Sequence, residues 1–284
     1  MRVTVSITHR DFELLRTYIE GQCGIALGDE KAYLVESRLA GLLVETGCPD
    51  YGALYDRVRA TEDTHLRDRI VDAMTTNETQ WFRDRHPFTI LAERLLPAAA
   101  EALRAGRLSR VRIWSGACST GQEPYSIAIT IQEFLRRHPE AGLRGEHVEI
   151  LATDISPSAL FIARTGRYDA NALSRGLPEE YLPRYFRAEE AAWVLEEAIR
   201  RMVVFRKFNL QDPLEPLGRF DVVFLRNVTI YFAEPSKRRI YGGIARLLAG
   251  GGHLIISAAE SLQGISQDFQ PLTHAGGVYY RCLA

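Results

Sequence analysis

The chain has 284 residues, 46% of them apolar and 25% charged, and its 35 Lys and Arg against 36 Asp and Glu give a net charge of -1. That composition excludes a disordered or collagen-like polymer and leaves ample chain for a core in one large or two unequal domains. The balance offers no general attraction to nucleic acid or anionic membrane, no apolar run approaches the roughly 20 residues of a membrane span, and the start has no secretory h-region.

In chain order, residues 1–75 read as an all-helical module. Thr8 with Asp11 resembles a capping box, Phe12, Leu15 and Ile19 form one face, and Gly21 or Gly24 ends the run. Asp29 is placed to cap a second helix with a Val35, Leu39, Leu42, Leu43 stripe that stops at Gly47. Asp50 precedes a short third helix with Tyr51, Leu54 and Val58, and Leu66, Ile70 and Met74 mark a fourth. Residues 1–80 hold nine basic and fourteen acidic residues, mostly solvated helix surface.

From about residue 88 helices alternate with short apolar runs. Phe88, Leu91 and Leu95 predict a helix ending at Pro97; Val111–Trp114 reads as a strand, followed by a glycine-bearing loop and a helix through Ile127, Ile131 and Phe134. Val148–Thr153 is a second strand, closing on Asp154 before a Ser156-Pro157 helix start. Further strands are expected at Val203–Phe208, Phe220–Leu225 and His253–Ser257, with a helix over Glu234–Leu248, and Val278–Leu283 as an edge strand. The alternation predicts a mainly parallel sheet with both faces covered, and residues 167–202 fit it poorly enough to be a small insertion.

In a doubly wound sheet the ligand lies beyond the carboxyl ends of the strands, here at S-G-A-C-S-T-G-Q-E-P (115–124). Gly116 and Gly121 have phosphate-loop spacing, but Gln122-Glu123 stands where Lys-Ser/Thr would meet phosphate and magnesium. Glu123 in the first helical turn uses the attraction of the helix N-terminus for itself and repels a pyrophosphate, which suits a ligand carrying positive charge; it also reads as a carboxylate that merely stabilises its helix. Asp154 ends the second strand, where a carboxylate accepts ribose hydroxyls or, alternatively, caps the next helix. A nucleoside site unfriendly to phosphate points to S-adenosylmethionine. Four scattered cysteines (Cys23, Cys48, Cys118, Cys282) without a C-x-x-C pair, and seven histidines without H-E-x-x-H, read as reduced thiols in a cytoplasmic protein with no metal.

The runs T-T-N-E-T-Q-W-F-R-D (75–84), A-C-S-T-G-Q-E-P-Y-S-I-A (117–128), D-I-S (154–156) and R-N-V-T-I-Y-F (226–232), with Y-Y-R-C near the end, resemble the CheR family of chemoreceptor glutamate O-methyltransferases over essentially the whole chain. The resemblance implies a helical docking domain (1–75), a linker folding over the cofactor (76–93), and a class I, Rossmann-like S-adenosylmethionine-dependent methyltransferase domain (94–284) with a β-subdomain insertion at about 167–202. It implies cofactor contacts by Asn77, Thr79, Arg83, Glu123, Asp154, Asn209, Leu210, Arg226 and Asn227, with Arg83 and Tyr231 as the catalytic pair. Glu123 matches the position that meets the ammonium of the methionine tail, Arg83 one that pairs its carboxylate, Asp154 the ribose partner, and Asn209-Leu210 the segment beside adenine. From spacing alone, Arg83 reads instead as a surface ion pair with Asp84 or Glu78, and Tyr231 as a core aromatic. Trp81, Phe82, Ile230 and Phe232 are assigned to packing.

The implied reaction yields a glutamate methyl ester and S-adenosylhomocysteine. The acceptor carboxylate, with an unperturbed pKa of about 4.3, needs no general base. The partner implied is the cytoplasmic helical region of chemoreceptors, met by a monomer that is not membrane-embedded and binds no nucleic acid. Two departures stand out. Between Asp29 and Gly47 only Lys31 and Arg38 are basic, where relatives are often strongly basic, and Arg187–Trp193 runs directly into Val194, too compact for a clasp on a receptor tail peptide. Rival readings are a non-catalytic cofactor-sensing scaffold, a methyltransferase acting on another protein or RNA, and, least favoured by the loop, an NAD-dependent dehydrogenase.

Overall fold

The computed structural model describes residues 5–60 and 63–283; residues 1–4, 61, 62 and 284, which include the ends of both expected modules, lie outside the described residues. Four helices open the chain: α1 (His9–Cys23), α2 (Ala32–Thr46), α3 (Tyr51–Ala60) and α4 (Thr64–Met74). The Thr8 hydroxyl accepts from the Asp11 N–H at 3.1 Å, and Gly24 closes α1 in a left-handed turn. Their stripes bury Leu15, Val35, Leu39, Leu54 and Ile70 against one another in a core separate from that of the rest of the chain. Asp29 does not cap α2. It begins a short 3-10 turn and pairs with Arg16 at 2.5 Å. Arg38 is half-buried and donates to the carbonyls of Met74 and Thr75 at 2.6 and 3.1 Å, closing the end of α4.

The helix expected to end at Pro97 continues. Helix α5 (His86–Ile90) passes through a π turn at Leu91–Leu95 into α6 (Leu96–Arg104). Proline cannot donate and crowds the carbonyl four residues back; the wider turn, with the Leu96 N–H on the Leu91 carbonyl, accommodates it without breaking the helix. Then follow β1 (Val111–Gly116), α7 (Gln122–Arg137), β2 (Val148–Asp154) and α8 (Pro157–Thr165). An insertion comes next, comprising β3 (Arg167–Tyr168), α9 (Ala170–Ser174), α10 (Leu182–Tyr185), β4 (Phe186–Glu189), β5 (Ala192–Leu195) and α11 (Glu197–Arg200). Its strands form a separate sheet in the order β3-β5-β4, and β4 and β5 are joined tightly through Glu190 and Ala191.

The chain closes with β6 (Val203–Lys207), β7 (Phe220–Leu225), α12 (Glu234–Leu247), β8 (Leu248–Ile255), β9 (Phe269–His274) and β10 (Gly277–Cys282). The main sheet runs β6-β2-β1-β7-β8-β10-β9, parallel from β6 to β8 and antiparallel beyond. Two expectations are corrected here. The terminal strand is interior, not at the edge; the edge is β9, whose polar character and Pro271 hid it from a pattern reading but suit an edge. And β8 starts at Leu248 rather than His253.

Glu133 on α7 fastens the insertion to the main domain. This carboxylate, 4% exposed, accepts from Tyr185 Oη at 2.6 Å, Arg184 at 2.5 Å and Arg136 at 2.8 Å. Burial alone would raise its pKa, but the hydrogen bonds from Arg136, Tyr185 and Arg184 outweigh that and bring it from 4.5 to about 2. A depressed folded pKa stabilises above the unfolded value and is lost as pH falls through the folded one. Glu133→Gln is therefore expected to cost about 1–3 kcal/mol at neutral pH, discounted for the exposed arginines, with the deficit vanishing as pH drops from about 4.5 toward 2. Chemical denaturation of both proteins across that range checks it; a constant gap would refute the ionic origin.

Candidate active site

The parallel strands end in register. Gly116 of β1 sits opposite Thr153 of β2 and Leu225 of β7, and Asp154 opposite Lys207 of β6. The segments after β1, β2, β6 and β7 therefore leave the sheet on one side, and the connections diverge between β1 and β7, making the switch point where such folds bind ligands. A cleft opens there. It gathers Asn77, Thr79, Arg83, Glu123, Asp154, Asn209, Leu210, Arg226, Asn227 and Tyr231, all ten residues singled out from the sequence.

The loop after β1 is built on strained backbone. Ala117 and Ser119 have φ of 56° and 50°, and Gly121 has φ 95° with no room for a Cβ, which would lie 2.9 Å from that of Ala163. This turn aims the Ser119 N–H at Asp154 Oδ2 (2.7 Å), while Asp154 Oδ1 takes the Ser156 N–H at 2.8 Å. Ser156, not Asp154, caps α8. Asp154 is buried and its pKa is pushed up by that burial against backbone hydrogen bonds from Ser156, Ser119 and Ile155, yet the carboxylate keeps lone-pair capacity for a further donor.

Glu123 and Arg226 lie in one network. Glu123 Oε1 accepts from Ser115 Oγ at 2.8 Å and Oε2 from Arg226 at 2.9 Å; Arg226 also reaches Asp84 Oδ2 at 2.7 Å and the Arg83 carbonyl at 2.8 Å. The Arg226 side chain is 1% exposed, and its Nε–H is buried without a partner. Arg226, implied by the resemblance as a ligand contact, lines the cleft while two of its guanidinium nitrogens brace Glu123 and the 83–84 turn. The pairs that spacing suggested for Arg83 do not form: Asp84 goes to Arg226 and Glu78 to Arg175. The Arg83 guanidinium has no ion pair or hydrogen bond among the described residues and lines the cleft. Among the described lining residues Arg83 and Arg226 stand against Glu78, Glu123 and Asp154, one net negative charge.

The 75–84 segment is pinned over the β1 loop by Ser119 Oγ on the Asn77 carbonyl (3.0 Å) and the Phe82 N–H on Ser126 Oγ (3.0 Å). Trp81 and Phe82 are buried packing groups, as assigned; Ile230, assigned to the core, is 43% exposed, on a short turn that buries Thr229 instead. Tyr231 is 39% exposed at the cleft mouth rather than in the core. Asn209 lines the cleft beside Leu210 with its side chain held at both ends: Nδ2 donates to the Gln22 carbonyl at 2.7 Å and Oδ1 accepts the Gln211 N–H at 3.0 Å.

Sequence reasoning missed the part played by the helical module. Ile25 bridges to Phe232, and the Ala26 N–H donates to the Tyr231 carbonyl at 2.8 Å, so the stretch after α1 forms one wall of the site. No local pattern marks such a long-range contact. Cys23 and Cys118 also line the cleft, but burial raises both thiols, Cys23 to about 11, so neither is a thiolate nucleophile at neutral pH. No histidine is among the described lining residues.

The free Arg83 guanidinium, Glu123, the orphaned Arg226 Nε–H and the single excess negative charge fit a net-cationic nucleoside with an amino-acid tail, and not a diphosphate. Sheet order and site together define a class I, Rossmann-like methyltransferase domain behind an all-helical module. The chain belongs to the CheR methyltransferase family: residues 77–277 match the CheR methyltransferase SAM-binding domain and residues 10–75 the CheR methyltransferase all-alpha domain. It is 45% identical over 278 residues to chemotaxis protein methyltransferase 1 of Pseudomonas aeruginosa, covering 98% of this chain and 99% of that one. It is 42% identical to the chemotaxis protein methyltransferase of Vibrio parahaemolyticus over 98% of each chain, and 31% to that of Borreliella burgdorferi over 92% of each.

Proposed function

We propose that this chain transfers a methyl group from S-adenosylmethionine to glutamate side-chain carboxylates on the cytoplasmic helices of chemoreceptors, giving methyl esters that reset chemosensory signalling. The observation that carries the reading is the cleft that brings an unpaired Arg83 together with the Glu123–Arg226–Asp84 network beside Tyr231. When bound, the cofactor supplies an electrophilic sulfonium methyl. Arg83 receives the carboxylate of the methionine tail and Glu123 its ammonium, with Arg226 fixing Glu123 in place. Asp154 accepts the ribose hydroxyls on its remaining lone pairs, and Asn209 and Leu210 border the base. Asn77, Thr79 and Asn227 complete the walls. Tyr231, exposed at the mouth, orients the incoming carboxylate.

No proton has to be removed, because the acceptor is ionised at neutral pH. This agrees with a cleft that offers two protonated thiols and no histidine among its described lining residues. Opposite charges vanish as the bond forms, so a drier, closed site favours reaction, and positioning supplies the remainder, up to ~7–11 kcal/mol for well-aligned reactants.

The helical module is the docking element for receptor helices. With Arg38 closing the end of α4 and the β4–β5 connection short, docking relies neither on a basic α2 nor on a tethering tail peptide. Labelled S-adenosylmethionine incubated with the protein and receptor-bearing membranes should place label in a receptor-sized band that mild alkali releases, as a carboxyl ester would. A soluble receptor tail peptide should neither bind saturably nor inhibit. Alkali-stable label would indicate another acceptor, and cofactor binding without transfer a sensor.

A further inference from the structure

The carboxylate of Glu260 takes no part in the chemistry above, yet it accepts six hydrogen bonds from two segments of the chain. Oε2 takes the Asn227 N–H at 2.9 Å, the Ser257 N–H at 3.0 Å and Ser257 Oγ at 2.8 Å; Oε1 takes the Val228 N–H at 3.2 Å, the Thr229 N–H at 2.9 Å and Thr229 Oγ1 at 2.7 Å. A turn at the end of β8, with the Glu260 N–H on the Ser257 carbonyl at 3.1 Å, brings the carboxylate back to its own strand end. Opposite it, Asn227 is left-handed at φ 59° and Val228 follows at φ -124°, ψ -41°, so three successive N–H groups converge. Such a concavity of amides is an anion nest, and here the protein fills it with its own side chain.

The nest is the root of the loop that carries Tyr231. The Tyr231 N–H bonds to the Val228 carbonyl at 3.2 Å and the Phe232 N–H to that of Thr229 at 3.0 Å, while Tyr241 Oη lies 2.8 Å from Thr229 Oγ1. The Tyr231 hydroxyl has no hydrogen-bond partner among the described residues, so the ring is placed at the cleft mouth through its backbone, by this turn, the Ala26 contact and the Ile25–Phe232 bridge. We infer that Glu260 is a positioning residue for methyl transfer, acting through the Asn227–Thr229 nest on Asn227 and Tyr231; the inference rests on the reading of the cleft given above. An amide could not replace the carboxylate. In Glu260→Gln, whichever way the side-chain amide were turned, two backbone N–H groups would face its NH₂.

The test compares the full-length protein with Glu260→Gln, Tyr231→Phe and their double variant, well below the melting temperature. Hydrogen exchange of residues 226–232 is expected to accelerate in Glu260→Gln without ligand, and turnover on receptor membranes to fall about tenfold to a hundredfold. The two substitutions should be strongly non-additive, with the double variant within about threefold of the slower single. Glu260→Asp, which keeps the charge with a shorter reach, should recover part of the turnover and gives the same readouts if Glu260→Gln does not fold. Unchanged exchange at 226–232, turnover within about threefold of wild type, or multiplicative effects would overturn the assignment. Calorimetry with S-adenosylhomocysteine on the wild type separates the two claims. If it does not bind, the cofactor reading fails, and the exchange data alone decide whether Glu260 holds the loop.

Discussion

Arg226→Met is expected to cost about 2–4 kcal/mol of stability at neutral pH, the largest effect of any single substitution around the cleft. The guanidinium is the common partner of Glu123, Asp84 and the Arg83 carbonyl, and its removal strands two carboxylates beside each other with no cation between them. Methionine keeps most of the buried volume, so the loss reports the charge rather than a cavity. Lysine should recover less than half: a point charge cannot reach three acceptors in one plane. Denaturant titrations of the three proteins at neutral pH decide it, and a variant as stable as wild type would show that the network holds nothing together.

Arg83→Met is expected to do the opposite. Its guanidinium is unpaired among the described residues, so the melting temperature should stay within about 1 °C of wild type, in keeping with a surface change away from any structural contact. Affinity for S-adenosylhomocysteine should fall about tenfold to a hundredfold, the worth of a charge-assisted hydrogen bond at about 1.5–3 kcal/mol. A decarboxylated analogue supplies the control: wild type and variant should bind it alike, since the group that Arg83 meets is gone. Calorimetry with the two ligands reads both predictions. A variant that loses the same factor for each would place Arg83 elsewhere than on the carboxylate.

Much of the site was legible because it is local. A strand, a glycine turn and a helix N-terminus lie within residues 111–124, and Glu123 declares its chemistry by standing where a lysine would serve phosphate. Asp154 is marked in the same way by the end of a strand. What stayed hidden depends on partners far off in the chain. The brace that Arg226 makes to Asp84 and Glu123, and the bond from the Asn209 amide to Gln22, are long-range contacts that no local pattern marks. Glu260 sits in an unremarkable S-A-A-E turn, and only the fold carries it to the Asn227 nest. In the fold, Pro97 misled because a stop signal was read without the π turn that absorbs it, and β9 was missed because an edge strand with one buried apolar residue leaves almost no periodic trace.

The seam between Ile25-Ala26 and Tyr231-Phe232 bears on how such proteins can be taken apart. A chain cut after α4 would lose more than four helices. The remaining domain would present Phe232 and the Tyr231 carbonyl to water and release the Asn209 amide from Gln22. Grafts that exchange the helical module to retarget the enzyme must therefore carry residues 22–27 across unchanged, as the portion of the foreign half that the catalytic half uses as its own.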